Sequence, residues 1–385
     1  MYPDYSNSVV NLVGSLTKAM KGKPIYEPLA GLDTDYLAEK EIIIMLNIDA
    51  LGYELVEQIG KNTILGDNVR FELTSIFPST TATATVAYQT GMAAWNHGLT
   101  GWFVHLKELG ASSVILPYCP RYTWESYEKS GIPIEKVLDC GSIFDRFQRE
   151  SYCITHKSFV NTPVTKYLTG NARIIPFKDL KGFTRSIIKA ARKKSRQPKY
   201  IYGYWSKLDH IEHRAGPDGA KTAEHYTEIC QAVEYLREKL HKMNYILLIS
   251  TDHGMLKVTP DKALNATDFP KLTKMLNLPF SGEPRVPYCY VKPEYREQFV
   301  EYVQAEMADY CEIFSRQEII DKGWYGKGEE NPHFRDRIGD YILPMKDNYV
   351  LKDNVLGMKG IDFLGYHGGM STAEMRIPLI IIEER

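Results

Sequence analysis

The sequence predicts an α/β fold, in which a central, mostly parallel sheet is flanked by helices. One observation is a set of short, continuous apolar runs that polar residues and Gly cut off, of which Tyr245–Ser250 is the clearest. Such runs are typical of strands that are buried on both faces of a parallel sheet. A second observation is the helical spacing of apolar residues through Thr222–Leu240, which predicts a helix packed on that sheet.

The elements are predicted in chain order from these patterns. Residues 1–40 contain a helix and an irregular lead-in. The following segments are predicted as strands: Ile42–Ile48, Phe71–Phe77, Ser113–Leu116, Tyr200–Trp205, Tyr245–Ser250 and Ile377–Ile382. Helices are expected over Tyr53–Ile59 and from Ala82 to Gly91, where small residues predominate.

The pattern changes after Met255. Residues 256–281 are expected to be irregular. A β-α-β-α-β order then follows, with strands near Val286–Val291, Cys311–Phe314 and Tyr341–Leu343. We interpret residues 282–345 as a small α+β subdomain inserted into a single catalytic domain of residues 1–385.

Composition limits the classes of function. The chain has 385 residues, 44% of them hydrophobic, and a formal net charge of -1, so we expect neither a nucleic-acid polymer nor an anionic membrane as partner. No apolar run reaches the ~18 residues of a transmembrane helix, and the N-terminus has no continuous apolar signal region. Six scattered cysteines without CxxC spacing are typical of reduced thiols. We therefore predict a cytoplasmic protein.

Candidate metal ligands follow the predicted strands. Asp49 ends the first apolar run, and Asp252 and His253 follow Tyr245–Ser250. In open α/β sheets, reactive groups gather beyond the carboxyl ends of such strands. The full set is Asp49, Asp209, His213, Asp252, His253 and His367, which could hold two divalent metal ions.

Asp209 and His213 are four residues apart, before Gly216-Pro217. One helical turn or a wide loop could direct both side chains at a single ion. His210 is a competing ligand at this point of the chain.

A threonine pair starts the predicted helix after the second strand. Thr80 or Thr81 lies at its N-terminus, where free N–H groups and the helix dipole favour an anion such as phosphate. The alternative is that this threonine only caps the helix.

These residues lie in segments that resemble the type I phosphodiesterase/nucleotide pyrophosphatase family of the alkaline phosphatase superfamily. The resemblance is carried, in order, by Ile48–Gly52; Phe77–Thr81 with Thr90-Gly91 and His97-Gly98; Asp209–His213 with Gly216-Pro217; Ser250–Met255; and His367–Ser371 with Glu374 and Pro378. It spans residues 42–382 and implies an alkaline-phosphatase-like sandwich.

The resemblance implies two zinc ions. Asp209, His213 and His367 would hold one of them. Asp49, Asp252 and His253 would hold the other, with Thr81 beside it as the nucleophile that forms a phospho-threonine intermediate. His97 matches a family position that is not a ligand, and we interpret it as a packing or capping histidine.

The chain departs from the family pattern near Gly101-Trp102. Nucleotide pyrophosphatases place an Asn near the phosphate about twenty residues after the nucleophile, and that position falls here. An indole N–H can donate one hydrogen bond but is bulkier than an amide. We therefore treat Trp102 as a candidate substrate-binding residue. Trp102, Tyr122, Trp124, Tyr204 and Tyr366 could also stack on a base, or pack in the core or at its rim.

Three hypotheses remain. The first is a phosphodiesterase or pyrophosphatase that takes a small phosphate-ester or nucleotide-like substrate. The second is a phosphonate or phosphomonoester hydrolase that uses the same site. The third is a non-catalytic binding relative, which the complete ligand set and Thr81 disfavour. The oligomeric state is left open.

Overall fold

The structure is a computed structural model that describes residues 1–353 and 362–383. Within these residues the strands are β1 (Ile42–Ile48), β2 (Val69–Thr74), β3 (Phe103–Leu106), β4 (Ala111–Val114), β5 (Cys119–Pro120), β6 (Glu150–His156), β7 (Arg173–Phe177), β8 (Lys199–Trp205), β9 (Tyr245–Ser250), β10 (Leu256–Lys257), β11 (Ala263–Asn265), β12 (Ser281–Glu283), β13 (Val286–Cys289), β14 (Phe314–Ser315), β15 (Tyr341–Ile342), β16 (Val350–Lys352), β17 (Gly365–Tyr366) and β18 (Arg376–Glu383).

The α-helices in the same part of the chain are α1 (Val9–Ala19), α2 (Thr34–Ala38), α3 (Tyr53–Ile59), α4 (Thr81–Thr90), α5 (Ala94–His97), α6 (Pro163–Thr169), α7 (Leu180–Arg192), α8 (Lys207–Ala215), α9 (Ala220–Leu240), α10 (Pro270–Lys274), α11 (Arg296–Glu306), α12 (Arg316–Asp321) and α13 (Thr372–Met375). None of the described helices combines the length and the apolar character needed to cross a membrane.

The central sheet confirms the predicted fold class. Its strand order is β2-β18-β9-β1-β8-β6-β7. The strands from β9 to β7 are parallel, whereas β18 runs antiparallel to both β9 and β2. Parallel neighbours end at the same edge, so the loops after β1, β8 and β9 lie side by side.

Both faces of this sheet are covered, because β1 is buried along its whole length. Ile44 and Leu46 point to the face covered by α7 and α9, where they join one apolar core. Ile43 and Met45 point to the opposite face and pack with apolar residues of α1 and α4. The alternation of side chains along a strand thus gives a helix–sheet–helix sandwich.

A second sheet lies beside the first and has the order β14-β15-β13-β12-β3-β4-β5. Four of its strands come from the predicted subdomain region, and three come from residues 103–120. The two groups join where Gly282 pairs with Phe103. The sheet therefore extends beyond residues 282–345, whose status as a separate subdomain stays a prediction.

Several predicted element boundaries differ from those in the structure. The second strand ends at Thr74 rather than Phe77, because the chain leaves the sheet there and the Ser75 N–H bonds to the Met375 carbonyl. The strand expected over Ser113–Leu116 is β4, two residues earlier. The strand predicted at Cys311–Phe314 is β14, which covers only Phe314–Ser315.

The segment 256–281 was predicted to be irregular, and this is wrong in part. It contains β10, β11 and α10. The two strands pair with β17 and β16, which are distant in sequence. Pairing of that kind leaves no local pattern, so the sequence did not indicate these strands.

Candidate metal centre and nucleophile

The predicted ligands meet at the carboxyl edge of the central sheet. Asp49 follows β1, and Asp252 and His253 follow β9. Asp209 and His213 lie one turn apart on α8, which begins directly after β8. His367 follows β17. Residues separated by more than 300 positions therefore share one site.

Two glycines let the first two loops approach each other. A side chain on Gly52 would place its Cβ 2.7 Å from the Cα of Gly254. A Cβ on Gly254 would lie 2.0 Å from the carbonyl oxygen of Ala373. At these distances no side chain fits at either position. This explains why a glycine follows Asp49 in the first loop and Asp252 in the second.

Asp49, Asp252 and His253 form a buried group that we call site A. The Nε2 atom of His253 lies 3.4 Å from Oδ1 of Asp49 and 3.8 Å from Oδ2 of Asp252. Their candidate ligand atoms all lie within 4.8 Å of one another. Thr81 adjoins this group, because its Oγ1 is 3.1 Å from the same His253 nitrogen.

Asp209, His213 and His367 form a second group, which we call site B. Oδ1 of Asp209 lies 3.2 Å from Nε2 of His213 and 3.7 Å from Nε2 of His367. The candidate ligand atoms of Asp209, His367 and His253 also lie within 4.8 Å of one another. The reason is that the His253 and His367 rings stack, with their centroids 3.7 Å apart. His253 therefore borders both sites.

Each histidine is oriented by its other ring nitrogen. Nδ1 of His213 bonds to the Gly365 carbonyl at 2.8 Å, and Nδ1 of His253 bonds to the Gly254 carbonyl at 2.9 Å. Nδ1 of His367 bonds to the Ser79 carbonyl at 3.2 Å. A carbonyl accepts only from a protonated Nδ1, so on a neutral ring the Nε2 atom, which faces the site, carries the lone pair that a metal ion needs.

The carboxylates are arranged as a cation would require. Asp49 Oδ1, Asp209 Oδ1 and Asp252 Oδ2 are buried and accept no hydrogen bond from a described residue. Burial raises the pKa of Asp49 well above its usual range, and the nearby Asp252 and Asp209 add to that effect. A buried cluster of carboxylates without partners is costly unless cations neutralise it. The residues present therefore fit divalent metal ions.

Other groups adjust this charge balance. The Tyr204 hydroxyl donates to Oδ2 of Asp49, so this predicted stacking residue contacts a candidate ligand instead. At site B, burial opposes ionisation of Asp209, but His213 and His367 lower its pKa far below the usual value. Burial and the adjoining His253 lower the pKa of His367 well below its usual value.

Thr81 is the first residue of α4, and Thr80 is the N-cap. The Thr80 side chain makes no capping hydrogen bond, and its buried hydroxyl lies near the Glu283 carboxyl. Thr81 is 8% exposed and directs its hydroxyl to site A. The plain capping alternative therefore does not describe Thr81.

Two histidines lie away from the centre. His210, the competing ligand, is exposed on the outer side of α8. His97 is fully buried, and its Nδ1 accepts the Leu99 N–H at 3.0 Å. The interpretation of His97 as a packing and capping residue agrees with this contact.

A cavity of about 450 Å³ opens beside the two sites. Its lining includes Thr80, Thr81, Asp209, His213 and His367, and the aromatic residues Trp102, Phe103, Trp124, Phe280, Phe363 and Tyr366. Of the predicted stacking residues, Trp102, Trp124 and Tyr366 line it. Tyr122 is instead 46% exposed at the surface.

Sequence reasoning missed two further charged residues of this cavity, Arg121 and Glu283. Arg121 is buried, stacks 3.9 Å from the Phe103 ring centroid and pairs with Asp353 at 3.5 Å. Glu283 accepts the backbone N–H of Trp102 at 2.6 Å. Burial raises the pKa of Glu283 to about 7. No local pattern marks either residue, because the second sheet brings them to the site from distant segments.

Comparison with known proteins places this arrangement in a family. The family model for type I phosphodiesterase / nucleotide pyrophosphatase matches residues 43–370. A search of curated proteins found no match. The fold and this match define a member of the alkaline phosphatase superfamily. The chain belongs to the type I phosphodiesterase / nucleotide pyrophosphatase family, which is metal-dependent, and it is a hydrolase of phosphoester bonds.

Solved structures share this fold at low sequence identity. Murine ectonucleotide pyrophosphatase / phosphodiesterase 5 aligns with a TM-score of 0.64 and 16% identity, covering 89% of this chain and 87% of that chain. The human protein of that name aligns with a TM-score of 0.66 and 16% sequence identity, covering 89% of this chain and 87% of that chain. Phosphonoacetate hydrolase from Sinorhizobium meliloti aligns with a TM-score of 0.65 and 16% sequence identity, covering 89% of this chain and 90% of that chain.

Proposed function

We propose that this protein is a two-zinc hydrolase that cleaves phosphodiester or pyrophosphate bonds through a phospho-Thr81 intermediate. The observation that carries the proposal is the position of Thr81 Oγ1, 3.1 Å from His253 Nε2 at the start of α4 and beside site A. A hydroxyl in that environment is a candidate nucleophile rather than a packing group.

The ligand roles follow from the two groups. Asp49, Asp252 and His253 would hold one ion at site A, with Thr81 beside it. Asp209, His213 and His367 would hold the other at site B. The oriented Nε2 atoms and the unpartnered carboxylate oxygens support this assignment. Bound zinc would lower the pKa of the threonine hydroxyl and stabilise negative charge on phosphoryl oxygens.

The chain's own groups account for the covalent steps. Thr81 Oγ1 gives up its proton to solvent and forms a bond to phosphorus, while the bond from phosphorus to the leaving oxygen breaks. That oxygen takes up a proton and departs as an alcohol from a phosphodiester, or departs as a phosphate from a pyrophosphate bond. Water then attacks the phosphorus of phospho-Thr81, and Oγ1 recovers a proton as the phosphate product leaves. The N-terminus of α4 favours the negative charge that develops at this point.

The leaving group would occupy the aromatic cavity. Six aromatic residues line it, and a substrate with a flat or apolar group would bury its surface there. A small nucleotide-like ester fits this chemistry. One related structure shows inactive murine ectonucleotide pyrophosphatase / phosphodiesterase 5 in complex with AMP.

The cavity offers less support for the phosphonate alternative. A carboxylated phosphonate needs a cation for its second acidic group. The two cations in the described lining, Arg121 and Lys352, are already paired with Asp353 and Asp362. The diester or pyrophosphate function is therefore the better fit.

The test is a substrate panel on the zinc-loaded protein. Bis-p-nitrophenyl phosphate, p-nitrophenyl phosphate, a nucleoside monophosphate ester and phosphonoacetate should be compared at one enzyme concentration. We expect the diesters to be cleaved with the highest kcat/KM. Cleavage of phosphonoacetate alone would replace the proposal with the alternative, and cleavage of none of them would overturn it.

A further inference from the structure

Glu283 places a carboxyl group inside the cavity, next to the candidate nucleophile. It ends β12, is only 7% exposed and lines the same space as Thr80, Thr81 and Trp102. Its Oε1 accepts the Trp102 N–H at 2.6 Å. The carboxyl therefore contacts the backbone at Trp102, the chain position where the family pattern leads us to expect an amide donor near the phosphate.

The surrounding backbone holds this side chain in place. A Cβ on Gly368 would lie 2.7 Å from both Cβ and Cγ of Glu283, so the glutamate packs directly on the backbone next to His367. Gly282 and Gly368 both have positive φ angles, 78° and 111°, which only glycine adopts without strain. The two glycines, one before Glu283 and one packed against its side chain, thus make room for the glutamate at this position.

The arginine and the lysine of the described cavity lining do not pair with Glu283. His213 is a titratable group of the same lining, and its positive charge would lower the pKa of Glu283. Arg121 pairs with Asp353, and Lys352 pairs with Asp362. Burial raises the pKa of Glu283 to about 7, with the Thr80 hydroxyl and the Trp102 N–H acting in the opposite direction. Above that pH the group is a negative charge on a side chain that is only 7% exposed, and charge–charge interactions are stronger there than in bulk water.

We propose that Glu283 is a specificity-determining residue that favours singly charged phosphodiesters over doubly charged phosphomonoesters and phosphonates. The inference rests on the proposed function and names the substrate class for the same site. A monoester or phosphonate carries one more negative charge than a diester on its phosphoryl oxygens. A fixed carboxylate nearby repels that extra charge, and specificity can arise from repulsion as well as attraction.

The competing interpretation is that Glu283 only satisfies the Trp102 N–H. The substitution Glu283→Gln separates the two roles, because the amide keeps the size and a carbonyl acceptor for that N–H but removes the charge. Glu283→Ala is a second uncharged variant. Glu125→Gln is the matched control, since the Glu125 side chain is 63% exposed and its one ion pair among the described residues is with the exposed Lys129.

The experiment compares kcat/KM for bis-p-nitrophenyl phosphate and p-nitrophenyl phosphate at pH 8.5, using zinc-loaded wild-type protein and the three variants. We expect Glu283→Gln and Glu283→Ala to raise the monoester-to-diester ratio by about tenfold, with Glu125→Gln unchanged. The inhibition constant of inorganic phosphate should fall by a similar factor in the two uncharged variants.

A ratio that stays within about twofold of wild type in folded variants would overturn the inference while leaving the diesterase activity intact. If the zinc-loaded wild-type protein does not cleave the diester, the proposed function is overturned instead. If neither variant folds, wild-type inhibition by methyl phosphate and dimethyl phosphate decides the question. If methyl phosphate inhibits about tenfold more strongly than dimethyl phosphate, the result contradicts a repulsive role of the Glu283 carboxylate. If methyl phosphate inhibits equally or more weakly, the result supports that role.

Discussion

At the scale of single residues, the site depends on which atoms are left without partners. Three imidazoles are fixed through Nδ1 by backbone carbonyls, and three carboxylate oxygens have no described hydrogen-bond donor. Backbone carbonyls do not move independently of the fold, so the ligand directions are set before any ion binds. Single substitutions at these residues are therefore the sharpest test of the ligand assignment.

The first prediction concerns the division of ligands between the two ions. Asp209→Ala or His367→Ala should remove the ion at site B, and Asp252→Ala should remove the ion at site A, because each ion needs about three protein ligands. Anomalous scattering from crystals of each variant locates the ion that remains. The assignment is wrong if both groups of substitutions remove the same ion.

At the scale of elements, a buried ion pair braces the loop that carries His367. Arg285 and Glu374 form two hydrogen bonds of 3.0 Å and are both almost fully buried. Oε1 of Glu374 also accepts the Gly369 N–H at 2.7 Å, and the Gly369 carbonyl accepts the Ser79 hydroxyl at 2.7 Å. One ion pair thus links the second sheet, the His367 loop and the segment before α4.

The second prediction follows from this brace. Arg285→Met should lower the free energy of unfolding by about 3 to 5 kcal/mol, because it leaves a buried carboxylate unpaired. Chemical denaturation measures the change. Arg335→Met is the control, since its pair with Glu330 is partly exposed and should contribute about 1 kcal/mol or less. Equal losses for the two variants would contradict the bracing role.

The third prediction is the pH dependence of the same pair. Burial alone would raise the pKa of Glu374, but Arg285, Ser371 and the Gly369 N–H lower it below the usual 4.5. A carboxyl whose folded-state pKa is depressed stabilises the fold above the unfolded pKa and loses that contribution as pH falls through the folded pKa. The stability gap between wild type and Arg285→Met should therefore shrink between pH 6 and pH 3. Denaturation curves showing a gap that widens towards acid would be the contrary result.

Elements that depend on local pattern were predicted well. The strands Ile42–Ile48 and Tyr245–Ser250 and the helix Tyr53–Ile59 were predicted with the bounds found, because buried runs and helical spacing are visible in sequence. Elements that depend on distant partners were not. β10 and β11 exist only through pairing with β17 and β16, and Glu283 reaches the cavity only through the second sheet.

At the scale of the whole molecule, two sheets enclose the working space. The carboxyl edge of the central sheet positions most of the candidate metal ligands, and the second sheet contributes Glu283 and Phe103 to the cavity. The six cysteines are all buried free thiols, as the sequence predicted. Because the carboxylates of both sites repel one another without cations, the fold and the metal content should be coupled.

The fourth prediction tests this coupling. Removal of metal with a strong chelator should lower the Tm by about 5 to 10 °C, because ions that bind only the folded chain stabilise it. Differential scanning calorimetry before and after chelation, with zinc added back, measures the shift. Asp49→Asn in the metal-free protein should recover part of the loss, because burial and the nearby Asp252 disfavour the charge of Asp49 in the folded chain. An unchanged Tm on chelation, together with a metal content near zero in the purified protein, would contradict two resident ions.

The central claim is that Thr81 attacks phosphorus, and the comparison of Thr81→Ala with Thr80→Ala tests it most directly. The two variants remove the same hydroxyl from adjacent residues at the start of α4, but only Thr81 directs its oxygen to site A. With two zinc ions verified in each protein, turnover of bis-p-nitrophenyl phosphate should fall on the order of a thousandfold in Thr81→Ala and far less in Thr80→Ala. Near wild-type turnover by a fully metal-loaded Thr81→Ala protein would contradict the account and indicate direct attack by water.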